Sequence, residues 1–337
     1  MLKEYLKRVV EGENLPEQAA ADAMRVIMSG QATDAQIAGF LVAMRLKGET
    51  VPEITGFARV MREMATRVSA PADVVDTCGT GGDRSSTFNI STSAALVAAG
   101  MGIKVAKHGN RGVSSSCGSA DVLKELGVNI EAEVDVVERS IREANVGFLF
   151  APRLHKAMKY AIGPRREMAI RTVFNLLGPL TNPAGAVRQV VGIYDGALTE
   201  TIANVLLNLG ASRAMVVHGE DGLDEITITG PTKVTELRDG KVRTSKVAPE
   251  DMGLGRWKLE EIKVANPAEG AAAIREVLSG AKGPRRDIVL ANAAAVAVVA
   301  GVADTLIEGA RAAAESIDSG RAAAAMEKLV FVSNGAP

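Results

Sequence analysis

Apolar residues in the first seventy positions recur at intervals of three and four, the spacing of an amphipathic helix. The clearest stripe consists of Ile37, Phe40, Leu41 and Met44. Polar residues followed three positions later by Glu or Gln fit the capping box that begins helices. Such pairs stand at Asn14 and Glu17, Thr33 and Gln36, and Thr50 and Glu53. We therefore predict a small all-helical domain over residues 1–70.

From residue 73 the pattern changes to short Val- and Ile-rich runs that alternate with helical stretches. The runs are ADVVDTCG, IKVAKHG, VGFLFAP, VRQVVGIYDG, RAMVVHGEDG and RDIVLANAA. Such alternation predicts an α/β domain with a mostly parallel central sheet, here over 73–337. Alternating Thr and Val over 226–247, with a turn at Asp239-Gly240, predicts an added β-meander. A helix over 166–178, ending at Gly178-Pro179, is expected to complete the helical domain.

The longest apolar run extends from Ile288 to Ala303 and is interrupted by Asn292. It is short for a membrane span, so an Ala-rich buried helix is the favoured interpretation. The N-terminus carries charges throughout and lacks a signal-peptide core. Only two cysteines occur, at a distance that fits no metal-ligand spacing, which is typical of a reducing compartment. We expect a cytoplasmic protein with no membrane partner.

The stretch DTCGTGGDRSSTFNIST, from Asp76 to Thr92, places three glycines and many hydroxyls between a strand and a helix. A glycine loop at that position lets backbone N–H groups and the helix dipole bind an anion. The P-loop motif is absent, and Arg84 occupies the last glycine position of the dinucleotide motif. The alternative is a turn that only reverses the chain.

A second strand–loop–helix segment, IKVAKHGNRGVSSSCGSADVLKELG, follows at once. Its predicted loop holds Lys107, His108, Asn110 and Arg111, followed by Ser114, Ser115, Ser116 and Ser119. Cations and hydroxyls suit an anion with several oxygens. His108 could instead be a packing residue, but its cationic neighbours favour solvent or ligand contact. Two anion loops on adjacent strands indicate a ligand phosphorylated at both ends.

Asp224 and Glu225, just beyond a predicted strand, could hold Mg²⁺, which takes further ligands from phosphates and water. A solvated acidic turn is the alternative for this pair taken alone. Cys78 has no histidine at a supporting spacing, so we predict no covalent catalysis. We assign no nucleophile and no general acid or base.

Four motifs together resemble the anthranilate phosphoribosyltransferases in order and spacing over essentially the whole chain. They are DTCGTGGD, KHGNRGVSSSCGSAD, RTVFNLLGPLTNP and DGLDE. The resemblance implies transfer of the phosphoribosyl group of 5-phosphoribosyl 1-pyrophosphate to anthranilate, in tryptophan biosynthesis. It also implies Mg²⁺, two ions per subunit, and a homodimer formed through the helical domain. In the acceptor region, Lys156 stands where the family often has Pro, and Pro164 and Ala169 replace commoner Val and Gly.

Site roles also follow from the resemblance. The sugar-phosphate contacts implied are Gly79, Gly82, Asp83 and Thr87, with Asn89, Ile90, Ser91 and Thr92 at the diphosphate. The second cradle implied comprises Lys107, His108, Gly109, Asn110, Arg111, Gly112, Val113, Ser114, Ser115 and Ser119. Anthranilate is expected at Gly79, Asn110 and Arg165, whose guanidinium pairs with its carboxylate. The implied metal ligands are Ser91, Asp224 and Glu225.

Two rival interpretations remain at this point. Pyrimidine nucleoside phosphorylases share the architecture but have a KHSTGGVGD-type signature, where this chain has KHGNRGVSS. A non-catalytic relative that binds nucleic acid is the other rival. A net charge of −1 and 3% aromatic residues argue against nucleic-acid binding.

Overall fold

A computed structural model describes residues 1–83, 85–112 and 117–335. The chain begins with helices α1 (Leu2–Val10), α2 (Glu17–Met28), α3 (Asp34–Lys47) and α4 (Val51–Met64). Strands and helices then alternate: β1 (Val75–Gly79), α5 (Ile90–Gly100), β2 (Val105–Gly109), α6 (Ser119–Glu125), α7 (Val134–Ala144), β3 (Val146–Phe150), α8 (Ala151–Leu154), α9 (Lys159–Met168), α10 (Phe174–Leu180), β4 (Arg188–Gly192), α11 (Thr199–Asn208), β5 (Arg213–Gly219), β6 (Thr232–Arg238) and β7 (Lys241–Val247). The chain ends with α12 (Pro267–Leu278), α13 (Pro284–Ala300), α14 (Leu306–Asp318) and α15 (Arg321–Ser333), and 3₁₀ turns occupy Lys156–Met158, Gly196–Leu198, Pro249–Met252 and Leu259–Ile262.

The first helices begin largely as their capping patterns predict. The capping box is complete at Thr33, whereas at Thr50 the backbone N–H and the hydroxyl both donate to the Glu53 carboxylate at 2.8 Å. The prediction for Asn14 is wrong, because α2 begins after Pro16 and the Asn14 side chain instead accepts a hydrogen bond from Lys47 Nζ at 2.9 Å.

Glu53 is the polar centre of the helical domain. Its carboxylate is fully buried and accepts hydrogen bonds from the backbone N–H groups of Leu15 and Thr50, each at 2.8 Å. The Lys47 ammonium lies 2.9 Å from the same group, with 7% of that side chain exposed. A buried carboxylate thus joins the ends of three helical segments.

The helix expected over 166–178 is two helices, so that prediction is wrong in its bounds. α9 ends at Met168, and Ala169 has a left-handed conformation, with φ of +50°. The chain then turns and α10 continues past Gly178-Pro179 to Leu180. Apolar side chains of α9 and α10 share one core cluster with the N-terminal helices, among them Ala161, Leu176 and Leu177.

A seven-stranded sheet forms the centre of the large domain, in the order β3-β2-β1-β4-β5-β6-β7. β1 to β5 are parallel, and β6 and β7 add an antiparallel meander that turns at Asp239-Gly240. The predicted fold class and meander are confirmed. The carboxyl ends of β1, β2, β4 and β5 therefore lie along one edge of the sheet, where ligands bind in open α/β folds.

The segment RDIVLANAA belongs to α13, so its interpretation as a strand is wrong and that of the Ala-rich run as a buried helix is confirmed. Asn292 is buried in that helix, where it exchanges hydrogen bonds of 2.9 Å with the backbone N–H and C=O of Ile226. The polar interruption of the run therefore fixes the chain that follows Glu225. In the ranges that the structure describes, no helix is both long and apolar enough to cross a membrane.

Candidate active site

Two paired glycines form the floor of the candidate site. Gly79 ends β1, Gly192 ends β4, and the two are partners in the parallel ladder. A Cβ on Gly192 would lie 1.6 Å from the backbone oxygen of Asp224, and one on Gly79 would lie 2.4 Å from Asp224 Oδ2. Only residues without a side chain let the chain after β5 cross these two strand ends so closely.

The acidic pair reaches from this crossing point to the first predicted anion loop. The backbone N–H of Gly81 donates to Asp224 Oδ2 at 2.7 Å, and that of Ser91 donates to Glu225 Oε1 at 3.1 Å. Burial raises the pKa of both carboxyls, and repulsion from Asp83 raises the pKa of Asp224 further. Carboxylates held together against their mutual repulsion indicate a place for a cation.

The donor set fits Mg²⁺ bound jointly with a substrate. Within 1–83, 85–112 and 117–335, no three His, Cys, Asp or Glu side chains are arranged to enclose a metal. The two carboxylates and the Ser91 hydroxyl supply only some of the oxygen ligands that Mg²⁺ requires. Mg²⁺ ordinarily completes its coordination shell with phosphate oxygens and water. The site therefore suits a metal that arrives with a phosphorylated ligand.

Lys107 contributes a buried cation to the same place. The prediction that it lies in a loop is wrong, because β2 continues through it to Gly109. Its ammonium donates to the carbonyl oxygen of Thr77 at 2.6 Å and to Ser91 Oγ at 3.2 Å. The positive charge is thus fixed beside the first turn of α5.

His108 also lies in β2, and the expectation that its ring meets solvent is wrong. The ring is buried beside that of His155, with 5.1 Å between their centroids, and its Nδ1 lies 3.1 Å from the carbonyl oxygen of Gly178. Burial lowers the pKa of His108 to about 3 and that of His155 to about 4, so both imidazoles are neutral near pH 7. The backbone N–H of His108 donates to Asp76 Oδ1 at 3.1 Å.

The first loop is held by its own side chains and leads into α5. Asp83 accepts hydrogen bonds from the backbone N–H and the hydroxyl of Ser85, at 3.2 and 2.6 Å. The Ser85 hydroxyl lies 3.3 Å from that of Thr87. Ile90, Ser91 and Thr92 form the first turn of α5, so the positive end of the helix dipole lies at this loop. The predicted position of this loop between strand and helix is confirmed.

The Asn89 side chain forms its hydrogen bonds with the second loop. Its amide donates to the carbonyl oxygen of Cys117 at 3.1 Å and its Oδ1 accepts from the Cys117 thiol at 3.0 Å. In this geometry Asn89 connects the two predicted anion loops, while its backbone begins α5. The Cys78 thiol is directed to the Gly79 carbonyl, and burial raises its pKa, which leaves it a poor nucleophile.

The second loop follows β2 directly, beside the first. The Ser119 hydroxyl donates to the carbonyl oxygen of Asn110 at 3.3 Å, and a Cβ on Gly109 would lie 2.3 Å from that hydroxyl. Asp121 accepts from the backbone N–H of Gly112 at 2.9 Å. Arg111 lies 3.3 Å from Glu131 in an exposed ion pair. The predicted contacts Val113, Ser114 and Ser115 lie outside the described residues.

Arg165 lies on α9, on the helical side of the molecule. Its guanidinium is packed over the ring of Phe174, 5.0 Å from the centroid, and burial lowers its pKa. Among the described residues, no carboxylate forms an ion pair with it. A half-buried arginine without a carboxylate partner is suited to bind the carboxylate of a ligand.

Three features of the site were not predicted from the sequence. Gly192 ends an apolar run as Gly79 does, a signal that could have identified it. The contacts of Arg171 with Gly82 and of Tyr194 with Thr80 join segments far apart in the chain, so no local sequence pattern predicts them.

Comparison with known protein families agrees with this architecture. Residues 3–65 match the helical bundle domain of a glycosyl transferase family, and residues 71–323 match its a/b domain. The anthranilate phosphoribosyltransferase of Moorella thermoacetica is 58% identical over 331 residues, covering 98% of each chain. That of Syntrophotalea carbinolica is 53% identical over 347 residues, covering 98% of this chain and 99% of the relative.

Solved structures give the same result. Anthranilate phosphoribosyltransferase from Thermus thermophilus superposes with a TM-score of 0.92 at 43% identity, covering 98% of this chain and 99% of that one. The enzyme from Saccharomyces cerevisiae in complex with PRPP and Mg has a TM-score of 0.90 at 29% identity, covering 99% of this chain and 98% of that one. The same yeast enzyme in complex with 4-fluoroanthranilate has a TM-score of 0.89 at 29% identity and the same coverage. The chain belongs to the anthranilate phosphoribosyltransferase family.

Proposed function

We infer that this protein is a Mg²⁺-dependent phosphoribosyltransferase that joins anthranilate to 5-phosphoribosyl 1-pyrophosphate in tryptophan biosynthesis. The products are N-(5-phosphoribosyl)anthranilate and pyrophosphate. One observation carries the inference: Asp224 and Glu225 cross to the first anion loop and to the start of α5, at the carboxyl ends of adjacent parallel strands. The names of the full-length relatives support the choice of acceptor.

The diphosphate of the donor suits the first turn of α5. There the helix dipole and the Lys107 ammonium, 3.2 Å from Ser91 Oγ, offset negative charge that grows on the leaving group. Mg²⁺ held by Asp224, Glu225 and Ser91 would stabilise the same charge as a Lewis acid. The sugar phosphate is then assigned to Gly79, Gly82, Asp83 and Thr87, and the second loop closes on the donor from the side of β2.

The acceptor is assigned to Arg165, with Asn110 and Gly79 as further contacts. A half-buried guanidinium binds a carboxylate more strongly than an exposed one, because less water competes for it. The aryl amine is neutral at pH 7, so the chain needs no strong base to make it nucleophilic. The protein's contribution is then chiefly to hold two substrates in line and to exclude water from the reacting carbon.

Two Mg²⁺ ions per subunit are part of this proposal. Glu225 would contact both, one shared with Ser91 and one with Asp224. Calorimetric titration of Mg²⁺ in the presence of the donor should then give a stoichiometry of two for the wild type. Asp224→Asn should lose one ion and Glu225→Gln both; a wild-type stoichiometry of one would contradict this assignment.

A homodimer through the helical domain is also proposed. α3 packs on both α1 and α9, and each of the three helices exposes an apolar side chain: Val10 is 68%, Leu46 83% and Ile162 46% exposed. A contiguous exposed apolar patch marks a protein interface, and the proposal takes these three side chains as parts of one such patch. Leu46→Glu should convert the dimer to a monomer in sedimentation equilibrium, whereas Phe331→Glu on α15 should not. A wild-type monomer at micromolar concentration would contradict the proposal.

The function is tested by release of pyrophosphate from the donor in the presence of anthranilate and Mg²⁺. Replacing both Asp224 and Glu225 by their amides should abolish Mg²⁺-dependent donor binding and reduce turnover by about 1,000-fold or more, as for loss of the groups that stabilise a leaving anion. Glu220→Gln, in the exposed part of the same turn, is the matched control and should retain activity. Unaltered donor affinity in the double variant would refute the metal assignment. Phosphorolysis of a pyrimidine nucleoside without pyrophosphate release would favour a phosphorylase instead.

A further inference from the structure

Arg171 connects the acceptor side of the site to the donor loop. It lies in the turn between α9 and α10, six positions after Arg165. Its Nη2 donates a hydrogen bond to the carbonyl oxygen of Gly82, and its guanidinium carbon lies 4.1 Å from the centroid of the Tyr194 ring. In the part of the chain that the structure describes, no carboxylate forms an ion pair with it.

Tyr194, the second contact, is itself anchored to the donor loop. Its backbone N–H donates to the hydroxyl of Thr80 at 3.1 Å, and the N–H of Thr80 donates to the carbonyl oxygen of Gly192 at 2.9 Å. Arg171 thus reaches the loop directly at Gly82 and indirectly at Thr80. We call the set of Arg171, Tyr194 and Gly82 the arginine bridge.

The other face of the arginine bridge borders a cavity of about 310 Å³ between the two domains. Arg45 in the last turn of α3 and Glu49 in the connection to α4 line it together with Arg171, Thr172 and Tyr194. The guanidinium is therefore not enclosed by a packed core. Its stacking on Tyr194 and its bond to Gly82 determine where it lies, because a cation over an aromatic face and a charge-assisted hydrogen bond are both directional.

We propose that Arg171 is a positioning residue that couples the donor and acceptor sites; this rests on the proposed function. Gly82 belongs to the loop assigned to the sugar phosphate, whereas Arg165 lies on the helix that the Arg171 turn terminates. A change in the position of the Gly82 carbonyl on donor binding passes through Arg171 to the end of α9. Coupling of this kind is reciprocal, so each substrate raises the affinity for the other.

The test is a steady-state rate grid over both substrates for wild type, Arg171→Lys, Arg171→Ala and Tyr194→Leu. Arg171→Ala should raise the KM of the donor at least ten-fold, as expected for loss of a charge-assisted hydrogen bond, with kcat reduced less than three-fold. The KM of anthranilate should no longer fall as donor concentration rises. Arg171→Lys can still reach the Gly82 carbonyl and Tyr194→Leu keeps the guanidinium, so both should lie between wild type and Arg171→Ala.

Arg166→Ala is the matched control, since Arg166 is an exposed arginine near the end of α9. If the Arg171→Ala variant folds and its donor KM lies within two-fold of wild type, the proposal is overturned. It is also overturned if the variant loses only kcat or melting temperature while both KM values and their coupling stay unchanged. If Arg171→Ala does not fold, Arg171→Lys and Tyr194→Leu decide by the same criteria. An inactive wild type would refute the proposed function, whereas an active wild type with unaffected variants would refute only the role of Arg171.

Discussion

Gly192→Ala perturbs the crossing of the acidic pair over the sheet edge without altering any polar group. A methyl group there would begin 1.6 Å from the Asp224 backbone oxygen, whereas real contacts of a Cβ are essentially never under 3.0 Å. The obstacle is backbone, so it cannot move aside by a side-chain rotation. The chain at Asp224 must therefore shift by at least about 1.4 Å.

The consequence follows from what Asp224 and Glu225 are proposed to hold. Mg²⁺ requires near-ideal octahedral geometry, so a shift of this size misplaces its ligands. A misplacement of about 1 Å in an active site costs on the order of 100-fold in rate. Overpacking also costs about 1–3 kcal/mol of stability, which a protein of this size tolerates in part.

The assay is the Mg²⁺ dependence of donor binding by calorimetry, together with kcat/KM, for Gly192→Ala and a matched control. Gly230→Ala is that control, because a Cβ at Gly230 meets nothing within 4 Å and the residue lies in the same β5–β6 connection. We expect kcat/KM to fall about 100-fold in Gly192→Ala and to stay near wild type in Gly230→Ala. Wild-type Mg²⁺-dependent donor affinity in a folded Gly192→Ala would refute the assigned role of the crossing.

Further predictions concern other parts of the molecule. Arg165→Ala should raise the KM of anthranilate by about 30-fold or more, since a charge-assisted hydrogen bond is worth about 2 kcal/mol or more. The KM of the donor should rise far less, and steady-state kinetics measures both KM values. Glu53→Ala should lower the free energy of unfolding by about 3–5 kcal/mol in urea titration, because it leaves a buried ammonium unpaired. Ala169→Gly should raise the free energy of unfolding by about 1 kcal/mol, since a φ of +50° is strained for Ala. Burial lowers the pKa of His108 and His155, so their ring resonances should not shift between pH 8 and 6 in NMR.

Each of these predictions has a contradicting result. Equal effects of Arg165→Ala on both KM values would mean that Arg165 does not bind anthranilate selectively. If Glu53→Ala changes the free energy of unfolding by less than about 1 kcal/mol, water reaches the Lys47 ammonium. If Ala169→Gly lowers the free energy of unfolding, the entropy that glycine adds to the unfolded state outweighs the relief of backbone strain. A titration midpoint near 6.5 for either ring would show that solvent reaches it.

Local pattern was enough to predict the domain classes, the glycine loops between strand and helix, and the position of the acidic pair. These features follow from periodicity and from residue types with strong backbone preferences. Lys107 was misplaced because a polar residue after an apolar run resembles a strand end. Its burial depends on the carbonyl of Thr77, thirty residues away in sequence.

The remaining differences have a similar origin. The segment RDIVLANAA was ambiguous because a short apolar run does not distinguish a buried strand from a buried helix. Helix α9 ends at Met168 and the chain turns at Ala169, although alanine gives no stop signal in the sequence. The approach of Asp224 to Gly192 and of Arg171 to Gly82 are tertiary contacts, which one sequence does not encode in any local spacing.

Loss of anthranilate fluorescence on mixing with 5-phosphoribosyl 1-pyrophosphate, with and without Mg²⁺, tests the central claim most directly. The account predicts a decay that requires both the donor and Mg²⁺ and that the amide variant of Asp224 and Glu225 abolishes. A folded protein that binds the donor with Mg²⁺ yet leaves the fluorescence unchanged would contradict it, and would indicate a different acceptor at Arg165.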